Sequence, residues 1–529
     1  MSQSAILWGG SRVTEPGTPA DYDGAVKSVP RPSQRWLAIV AIPLFAFLTL
    51  CAWSFASPVG SSPDDDFHLA SIWCGLGERP GLCEIPDESD AEPTSRLVPA
   101  ALVNAPCFAF KPEQAASCWD PTVEELALVA RANVDNLYPP LFYSAASVFA
   151  SSDPQLSVLA IRLANSAFAV AFLSAVCFAL PRSVRPALLI SVLATSVPLG
   201  VFIYASTNPS SWAMLSAATV WTSLYGATRA SGRRRWVLCA LAVIGAVLGA
   251  GARADAAIFA VYGVALALLL GVRTVRRQMV PIATGILICI ISAAFYLSAG
   301  QGGAAFGGLD PSQNPLTLSQ HIWNLLEIPA LWTGALGQAN LGWFDTRMSA
   351  AVWVLATTAF AGALFVGIRR PTRRRMIAIT LSLLAMWAVP FVMLAQSNAV
   401  VGNTVQPRYL LPLMLIAVGV ASLRPDAERA WDGFRFAAAA ACLWIALTIA
   451  MRQNISRYTS GGGDDAVDTG ASAGWWWAGA PEPLVVWVAG SVAFGAMLVS
   501  IWIVKRRPTR ERRTAALPST VGEPALSRV

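Results

Sequence analysis

Long apolar runs recur along almost the whole chain, and their spacing predicts its elements. Each is near the length that a helix needs to cross the hydrocarbon core of a bilayer. The pattern therefore predicts an all-α, polytopic membrane protein with about 12 transmembrane helices. The predicted spans are residues 36–56, 156–180, 186–205, 210–228, 236–251, 255–272, 279–298, 349–368, 376–395, 408–424, 434–451 and 484–504.

Polar stretches divide the chain into four predicted regions. Residues 1–35 are polar and proline-rich, which predicts a disordered N-terminus ahead of a first span that is not cleaved. Residues 36–425 form the predicted transmembrane core and residues 426–504 the C-terminal helices, followed by a basic tail at 505–529. The connections at 57–155 and 452–483 are long, and the first must carry structure of its own.

The charge distribution predicts the orientation in the membrane. The chain is 55% hydrophobic and only 13% charged, and its net charge of +7 comes from short basic clusters between apolar runs. Clusters such as Arg233–Arg235 and Arg369–Arg375 fall on one side of the predicted bundle, where the positive-inside rule places the cytoplasm. Both termini are then cytoplasmic, and the loops 57–155 and 452–483 are extracytoplasmic.

Four of the nine cysteines lie in the long polar loop. Cysteines in an outward-facing loop favour disulfides. Three pairings of Cys74, Cys83, Cys107 and Cys118 are possible, of which Cys74–Cys83 with Cys107–Cys118 is the most local. Four free thiols are the alternative.

An acidic stretch, Pro63-Asp64-Asp65-Asp66-Phe67-His68, follows the first span and is the leading candidate site. Crowded carboxylates raise one another's pKa, which suits a proton acceptor or a cation site. The apolar residues Phe67, Leu69, Ile72 and Trp73 predict a helix lying against the membrane surface. A solvated acidic loop is the alternative.

Three further segments are candidates because they contain aromatic, proline or charged residues. Tyr138-Pro139-Pro140-Leu141 predicts a bend into a helix. Arg408 and Tyr409 stand at the mouth of the tenth span, where an arginine either snorkels to the interface or holds a phosphate. Arg253 and Asp255 lie in a tight hairpin and either pair with each other or take part in a site.

Tryptophans predict two contacts with the membrane interface. Trp323, Leu326 and Trp332 predict an interfacial helix within residues 316–336, with Trp343 and Phe344 nearby. The run Trp475-Trp476-Trp477 predicts an interfacial anchor, with a sugar-stacking platform as the alternative.

These motifs together resemble the GT-C glycosyltransferases, which include protein O-mannosyltransferases and aminoarabinose transferases. The acidic stretch, Tyr138–Leu141 and Arg408–Pro412 carry the resemblance. The pattern Pro-Asp-(Asp/Glu)-x-x-His is also similar to an uncharacterised, mainly actinobacterial family of polytopic membrane proteins. The resemblance covers most of residues 36–425.

The resemblance implies an enzyme that uses a polyprenyl-phosphate sugar donor at the outer face of the bacterial inner membrane. Its acceptor would be an envelope glycan or glycolipid. Asp65, or Asp64 in the other register, would take the proton of the acceptor hydroxyl. Arg408 or Arg253 would hold the leaving phosphate. A divalent cation is possible because Asp64 and Asp66 form an Asp-x-Asp pattern.

The predicted substrate site also contains Asp255, Tyr138 and Tyr409, together with His68 as a hydrogen-bonding partner.

Two other functions stay open at the level of sequence. A transporter or lipid flippase would need ionisable residues around a mid-membrane cavity. A non-catalytic envelope assembly protein would keep the fold without activity. Nothing in the sequence indicates nucleic-acid binding.

Overall fold

The structure is a computed structural model that describes residues 32–87, 92–301, 314–369, 371–461, 474–477 and 479–505. The predicted disordered N-terminus before residue 32 and the basic tail after residue 505 lie outside the described residues, as does the middle of the loop 452–483. Helices make up most of what is described, which confirms the predicted helical class.

Nine helices in the described ranges are long and apolar enough to cross a membrane. Each coincides with a predicted span. They are α1 (Pro32–Phe55), α5 (Pro154–Ala179), α9 (Gly232–Ala252), α10 (Ala254–Gly271), α11 (Met279–Ser298), α13 (Ala350–Ile368), α14 (Arg373–Gln396), α17 (Phe434–Ser460) and α18 (Pro483–Lys505).

The other three predicted spans are helical but differ from the nine. One is divided at Pro198 into α6 (Arg185–Ser196) and α7 (Leu199–Tyr204). A second is α8 (Ser210–Arg229), and the third is a 3₁₀ turn (Pro407–Leu410) that leads into the short α15 (Leu411–Ser422).

α8 differs from the nine in its more polar composition and α15 in its short length, and both are buried inside the bundle. Every residue of α15 is buried, and so is nearly every residue of α8. Inside the bundle, α8 can carry hydroxyl side chains, because these bond to its own backbone: Thr219 donates to the carbonyl of Leu215 at 2.6 Å. Both helices form the centre around which the longer helices pack.

The loop after α1 is structured, as predicted. Its elements are α2 (Asp65–Trp73), β1 (Arg96–Pro99), α3 (Ala100–Val103), a 3₁₀ turn (Ala116–Cys118), β2 (Leu126–Val129) and α4 (Leu141–Ser147). The two strands pair antiparallel with Arg96 opposite Val129 and Pro99 opposite Leu126. The described part of the chain is thus helical with one small sheet outside the bundle.

Later connections add shorter elements. They are a 3₁₀ turn (Val275–Gln278), α12 (Leu318–Thr333), a π-helical turn (Gly334–Gln338) and α16 (Ala427–Ala430). The predicted helix within residues 316–336 is therefore present. Trp323 and Leu326 are exposed on it, whereas the indole N–H of Trp332 donates to the carbonyl of Met386 at 3.1 Å.

A second hydrophobic core lies beyond the C-terminal end of α1. The residues buried in it require two predictions to be corrected. Phe67, Leu69, Ile72 and Trp73 of α2 are buried inside this core, so α2 packs against protein and not against a membrane surface. The predicted helix is present, but the prediction that it lies against the membrane surface is wrong, because other parts of the protein cover its apolar residues.

The tryptophan run also belongs to this second core. Trp476 and Trp477 are buried, and the indole N–H of Trp477 donates to the carbonyl of Phe55 at 2.8 Å. Trp343 is buried there too. Neither the interfacial anchor nor the sugar-stacking platform fits such packing, since both need an exposed ring.

Basic side chains gather at the opposite end of the bundle, where they cap helix ends. Arg234 donates to the carbonyls of Ala179 and Leu180, at 2.6 and 2.5 Å, and Arg424 donates to the carbonyl of Val366 at 2.6 Å. The final carbonyls of a helix have no partner within the helix and carry partial negative charge. We call this the basic end, and the end with the second core the site end.

Two disulfides hold the structured loop. Cys74–Cys83 and Cys107–Cys118 have Cα–Cα distances of 5.2 and 6.2 Å, within the usual range. The most local of the three predicted pairings is confirmed. The cysteines in the apolar runs, for example Cys51 and Cys442, are free.

We expect alkylation without reductant, followed by peptide mass spectrometry, to recover only the links 74–83 and 107–118. Cys51 and Cys442 should react with the alkylating agent in denaturant and serve as controls. Replacing Cys74 and Cys83 by serine should lower the free energy of unfolding by about 2–3 kcal/mol, because the loop gains entropy when unfolded. A link that joins Cys83 to Cys107 would contradict the structure.

Candidate active site

Asp64 begins the site because of an unusual backbone conformation. It precedes α2 with a left-handed φ of 60° and ψ of 26°, a region that aspartate tolerates better than most residues. An aspartate at this position usually caps the helix with its carboxylate. Here its side chain makes no such hydrogen bond, so the carboxylate is available to other elements.

Arg408 pairs with this carboxylate across 344 positions of sequence. Its Nη2 donates to Oδ2 of Asp64 and, at 3.4 Å, to the hydroxyl of Tyr409. The Arg408 side chain is only 2% exposed, while that of Asp64 is 30% exposed. The predicted meeting of the acidic stretch with Arg408 is therefore present in the structure.

Most of the N–H groups of Arg408 have no acceptor within the described protein. Its Nε and Nη1 are buried and have no hydrogen-bond partner in the described ranges. A buried donor without an acceptor destabilises a protein by roughly 1–3 kcal/mol, and more when it is charged. The site thus holds an arginine prepared for an acceptor that the described chain does not provide.

Arg253 is the second buried guanidinium of the site. It lies in the break between α9 and α10 and donates to both oxygens of Asp255, at 2.9 and 2.8 Å. Its Nη1 also donates to the hydroxyl of Ser210 at 3.4 Å. The predicted pairing with Asp255 is present, so Arg253 is better satisfied than Arg408.

Aromatic rings separate the two arginines. The Tyr409 ring centroid lies 5.0 Å from the guanidinium carbon of Arg253 and 5.1 Å from that of Arg408. The Tyr138 ring centroid lies 5.6 Å from the guanidinium carbon of Arg253. Cations at such distances from an aromatic face are attracted to it. The rings therefore help to hold two like charges close together.

A glycine and an asparagine position Tyr138. A Cβ on Gly251 would lie 2.6 Å from Cδ2 of Leu141, so only glycine lets the Tyr138–Leu141 segment approach the end of α9. The side-chain amide of Asn133 bonds to both the backbone N–H and the carbonyl of Tyr138, at 2.7 and 2.9 Å. The Pro139-Pro140 pair makes the predicted bend, and this bend brings Tyr138 into the site.

The three consecutive aspartates have three different environments. Asp65 is completely buried and accepts hydrogen bonds from the Thr207 hydroxyl, at 2.7 Å, and the Ser62 amide, at 3.1 Å. Asp66 pairs with Arg131 at 2.7 Å on the exposed side. Of the three, Asp64 is the one that faces Arg408 and Arg253. The motif register favours Asp65 as the general base, but its burial leaves Asp64 as the carboxylate that a substrate could reach.

The pKa values separate these carboxylates further. Burial alone would raise the pKa of Asp64, but the charge and hydrogen bond of Arg408 and the charge of Arg253 outweigh it and lower that pKa. Burial raises the pKa of Asp65 to about 7. Burial also raises the pKa of Asp66, against the nearby charge of Arg131. Asp64 is the member of the triplet that stays ionised most readily.

His68 lies beneath the site and not on its surface. It is completely buried, and its Nδ1 is 2.9 Å from the hydroxyl of Tyr143. Burial lowers the pKa of His68 to about 3, because the charged ring would be poorly solvated. His68 is therefore neutral and acts as a hydrogen-bonding partner, as predicted.

The described residues contain no cluster of ligands for the possible divalent cation. No group of three or more His, Cys, Asp or Glu side chains there is arranged to hold a metal ion. The two carboxylates of the Asp-x-Asp pattern are engaged by different arginines, Asp64 by Arg408 and Asp66 by Arg131.

A buried arginine that sequence reasoning missed fixes the approach to Asp64. Arg162 of α5 is 1% exposed and donates to the carbonyls of Ser54, Ser57 and Pro58 at 3.2, 2.5 and 2.8 Å. Its position within an apolar run is the signal that could have identified it, since charged residues in such runs are rarely incidental.

Three other side chains bind the same turn. Asn208 donates to the carbonyl of Pro63 at 2.9 Å, Asn454 to that of Ala56 at 2.7 Å, and Trp343 to that of Gly60 at 2.8 Å. These donors come from distant parts of the sequence. The turn that presents Asp64 is therefore formed by the whole bundle and not by local sequence.

A family comparison fits this picture. The sequence profile of a family described as "Predicted membrane protein (DUF2142)" matches residues 47–417. The chain belongs to this family. The match extends from α1 to α15 and so includes both Asp64 and Arg408. No curated protein and no solved structure matches the chain.

The geometry alone defines the candidate site, which lies within the matched region. The DUF2142 region brings Asp64, Arg408, Tyr409, Arg253, Asp255 and Tyr138 together at the site end, with His68 beneath them. Asp65 lies apart in the interior. Chemically, the cluster combines an ionised carboxylate with two buried cations, which suits the binding of an anion beside a proton acceptor.

We expect Arg162→Met to lower the free energy of unfolding by at least about 3 kcal/mol, because three buried carbonyls each lose a partner worth roughly 1–3 kcal/mol. Arg131→Gln removes an exposed ion pair and should change the free energy of unfolding by less than about 1 kcal/mol. Thermal unfolding of both variants in detergent measures the difference. Equal unfolding temperatures for the two variants would show that Arg162 does not fix the turn.

Asp65 should make stability depend on pH. Its folded pKa of about 7 exceeds the ordinary value of 3.8, so the folded state binds a proton that the unfolded state releases. This contribution is fully present below pH 3.8 and is lost as pH rises through about 7. Unfolding temperatures measured from pH 4 to pH 8 should therefore fall more steeply for the wild type than for Asp65→Asn. Glu113→Gln, at an exposed position, should keep the wild-type slope.

Proposed function

We propose that the chain is a glycosyltransferase that moves a sugar from a polyprenyl-phosphate donor to an envelope glycan or glycolipid acceptor. The observation that carries the proposal is the pairing of partly exposed Asp64 with Arg408, whose Nε and Nη1 keep unused donors. The resemblance of the acidic, Tyr-Pro-Pro-Leu and Arg-Tyr-Leu-Leu-Pro motifs to GT-C enzymes supports the same reading.

The proposed reaction assigns one role to each charged group. The carboxylate of Asp64 accepts the proton of the acceptor hydroxyl as the hydroxyl oxygen attacks the anomeric carbon. The bond between that carbon and the phosphate oxygen breaks, and polyprenyl phosphate leaves with the bonding electrons. Arg408 stabilises the negative charge that develops on the phosphate, and Arg253 adds to the positive field.

The donor can bind without separating Asp64 from Arg408. A guanidinium presents two edges, and a bidentate contact to phosphate uses one of them. Nη2 of Arg408 serves Asp64, which leaves Nε and Nη1, one in each edge, as donors for phosphate oxygens. The same arginine can therefore orient the base and hold the leaving group.

The orientation of the bundle supports an outer-face reaction. The arginines of the basic end, among them Arg234 and Arg424, lie opposite the site, and positive residues favour the cytoplasmic side. On this assignment all 12 predicted helices contribute to crossing the inner membrane of a bacterium, and both termini are cytoplasmic. The disulfides at the site end agree with an oxidising exterior.

We expect Asp64→Asn to lower turnover by roughly 10²–10⁴-fold, the usual contribution of a general base. Protein in nanodiscs is supplied with radiolabelled polyprenyl-phosphate sugars and envelope glycan acceptors, and the covalent product is measured. Asp66→Asn is the matched control, because its carboxylate pairs with exposed Arg131 and should leave turnover nearly unchanged.

Binding of polyprenyl monophosphate alone separates the two roles. Arg408→Gln should weaken it at least about tenfold, since a charge-assisted contact is worth roughly 1.5–3 kcal/mol. Asp64→Asn should keep it. Full turnover by Asp64→Asn, or equal affinity of Arg408→Gln and wild type, would contradict the proposal.

A further inference from the structure

A cavity of about 590 Å³ opens at the basic end, far from Asp64. It lies between α1, α6, α13, α17 and α18, and its walls are mostly aliphatic: Ile39, Ile42, Leu189, Leu193, Leu443 and Ile501 line it. Its volume is in the range of protein sites for small ligands. The walls are suited to a hydrocarbon chain and not to water, because apolar cavities stay dry.

The rim of the cavity is mainly basic. Arg182, Arg185 and Lys505 line it together with a single carboxylate, that of Glu428. Lys505 Nζ donates to the carbonyl of Trp431 at 2.6 Å and lies 4.5 Å from the ring centroid of Phe436. The positive charges therefore stand where the apolar walls end.

The three cations differ in how many donors remain available. Arg185 already donates through Nε to the carbonyl of Leu180, at 3.0 Å, and through Nη2 to that of Phe178, at 2.8 Å. Arg182 is exposed and donates no hydrogen bond to another described residue. Arg182 is consequently the rim residue best able to make a new bidentate contact.

We propose that this cavity binds an anionic phospholipid of the bilayer leaflet at the basic end. An acyl chain occupies the aliphatic walls, and the phosphate contacts Arg182, with Arg185 and Lys505 close by. Charge and shape both favour this occupant, since it combines a hydrocarbon chain with a negative headgroup at this depth. The inference does not depend on the proposed glycosyl transfer.

The test is retention of phosphatidylglycerol by the full-length protein, measured by native mass spectrometry from mixed phosphatidylglycerol and phosphatidylcholine nanodiscs. We expect preferential retention of phosphatidylglycerol. Arg182→Gln should weaken it about fivefold, since one basic residue near an anionic headgroup is worth about 1 kcal/mol. Arg233→Gln, at an exposed position of the same end, is the matched control and should retain wild-type binding.

A second variant tests the walls. Ala440→Phe places a ring in the cavity and should abolish retention while leaving the unfolding temperature within a few degrees of wild type. Equal retention of both lipids by the wild type, or no effect of either cavity variant, would overturn the proposal.

Photocrosslinking identifies the occupant directly. Benzoylphenylalanine in place of Leu193, which lines the wall, should crosslink to lipid in the full chain. A crosslink to residues 1–31 or 506–529 would instead show that the chain fills its own cavity, and would overturn the proposal.

Discussion

The backbone carbonyls between Ser54 and Pro63 impose the constraint on which the site depends. They lie buried where α1 ends, and buried carbonyls need hydrogen-bond donors. Arg162 provides several of these, and Asn208, Asn454 and Trp343 provide others. Because the donors come from four distant segments, the turn forms only when the bundle has assembled. Asp64 is therefore positioned by tertiary structure, so a change that unfolds this turn would also displace Asp64.

The aspartate triplet shows how one local sequence can serve three purposes. A left-handed residue followed at once by a helix sends consecutive side chains in different directions. Asp65 turns inward to Thr207 and Ser62, Asp66 turns outward to Arg131, and Asp64 faces Arg408. The pKa of Asp65, which points inward, is raised, whereas the pKa of Asp64, which lies beside Arg408, is lowered. Identical side chains therefore differ in their chemistry.

Hydropathy was enough to predict where the helices lie, because apolar runs of bilayer length have few other uses. It could not distinguish lipid from protein as the covering surface, which is why α2 and the Trp475–Trp477 run were misassigned. Motifs likewise predicted that Asp64, Arg408 and Arg253 belong together, and nearby cysteines predicted the local disulfides. The choice between Asp64 and Asp65 needed the backbone conformation of one residue. The apolar run around Arg162 marks this residue as unusual, but its partners are carbonyls, which carry no sequence signature, so its role could not be predicted.

The two buried arginines of the site are not equivalent, and their hydrogen bonds decide which one can bind an anion. Arg253 is neutralised by Asp255 through two contacts and gains a third from Ser210. Arg408 has one charged partner and two buried nitrogens without acceptors in the described chain. An incoming phosphate would have to displace Asp255 from Arg253, whereas it would complete the coordination of Arg408. Desolvation of Arg408 has thus already occurred during folding, so in the proposed reaction the phosphate would meet a cation in a low-dielectric site, where charged contacts are stronger than in water.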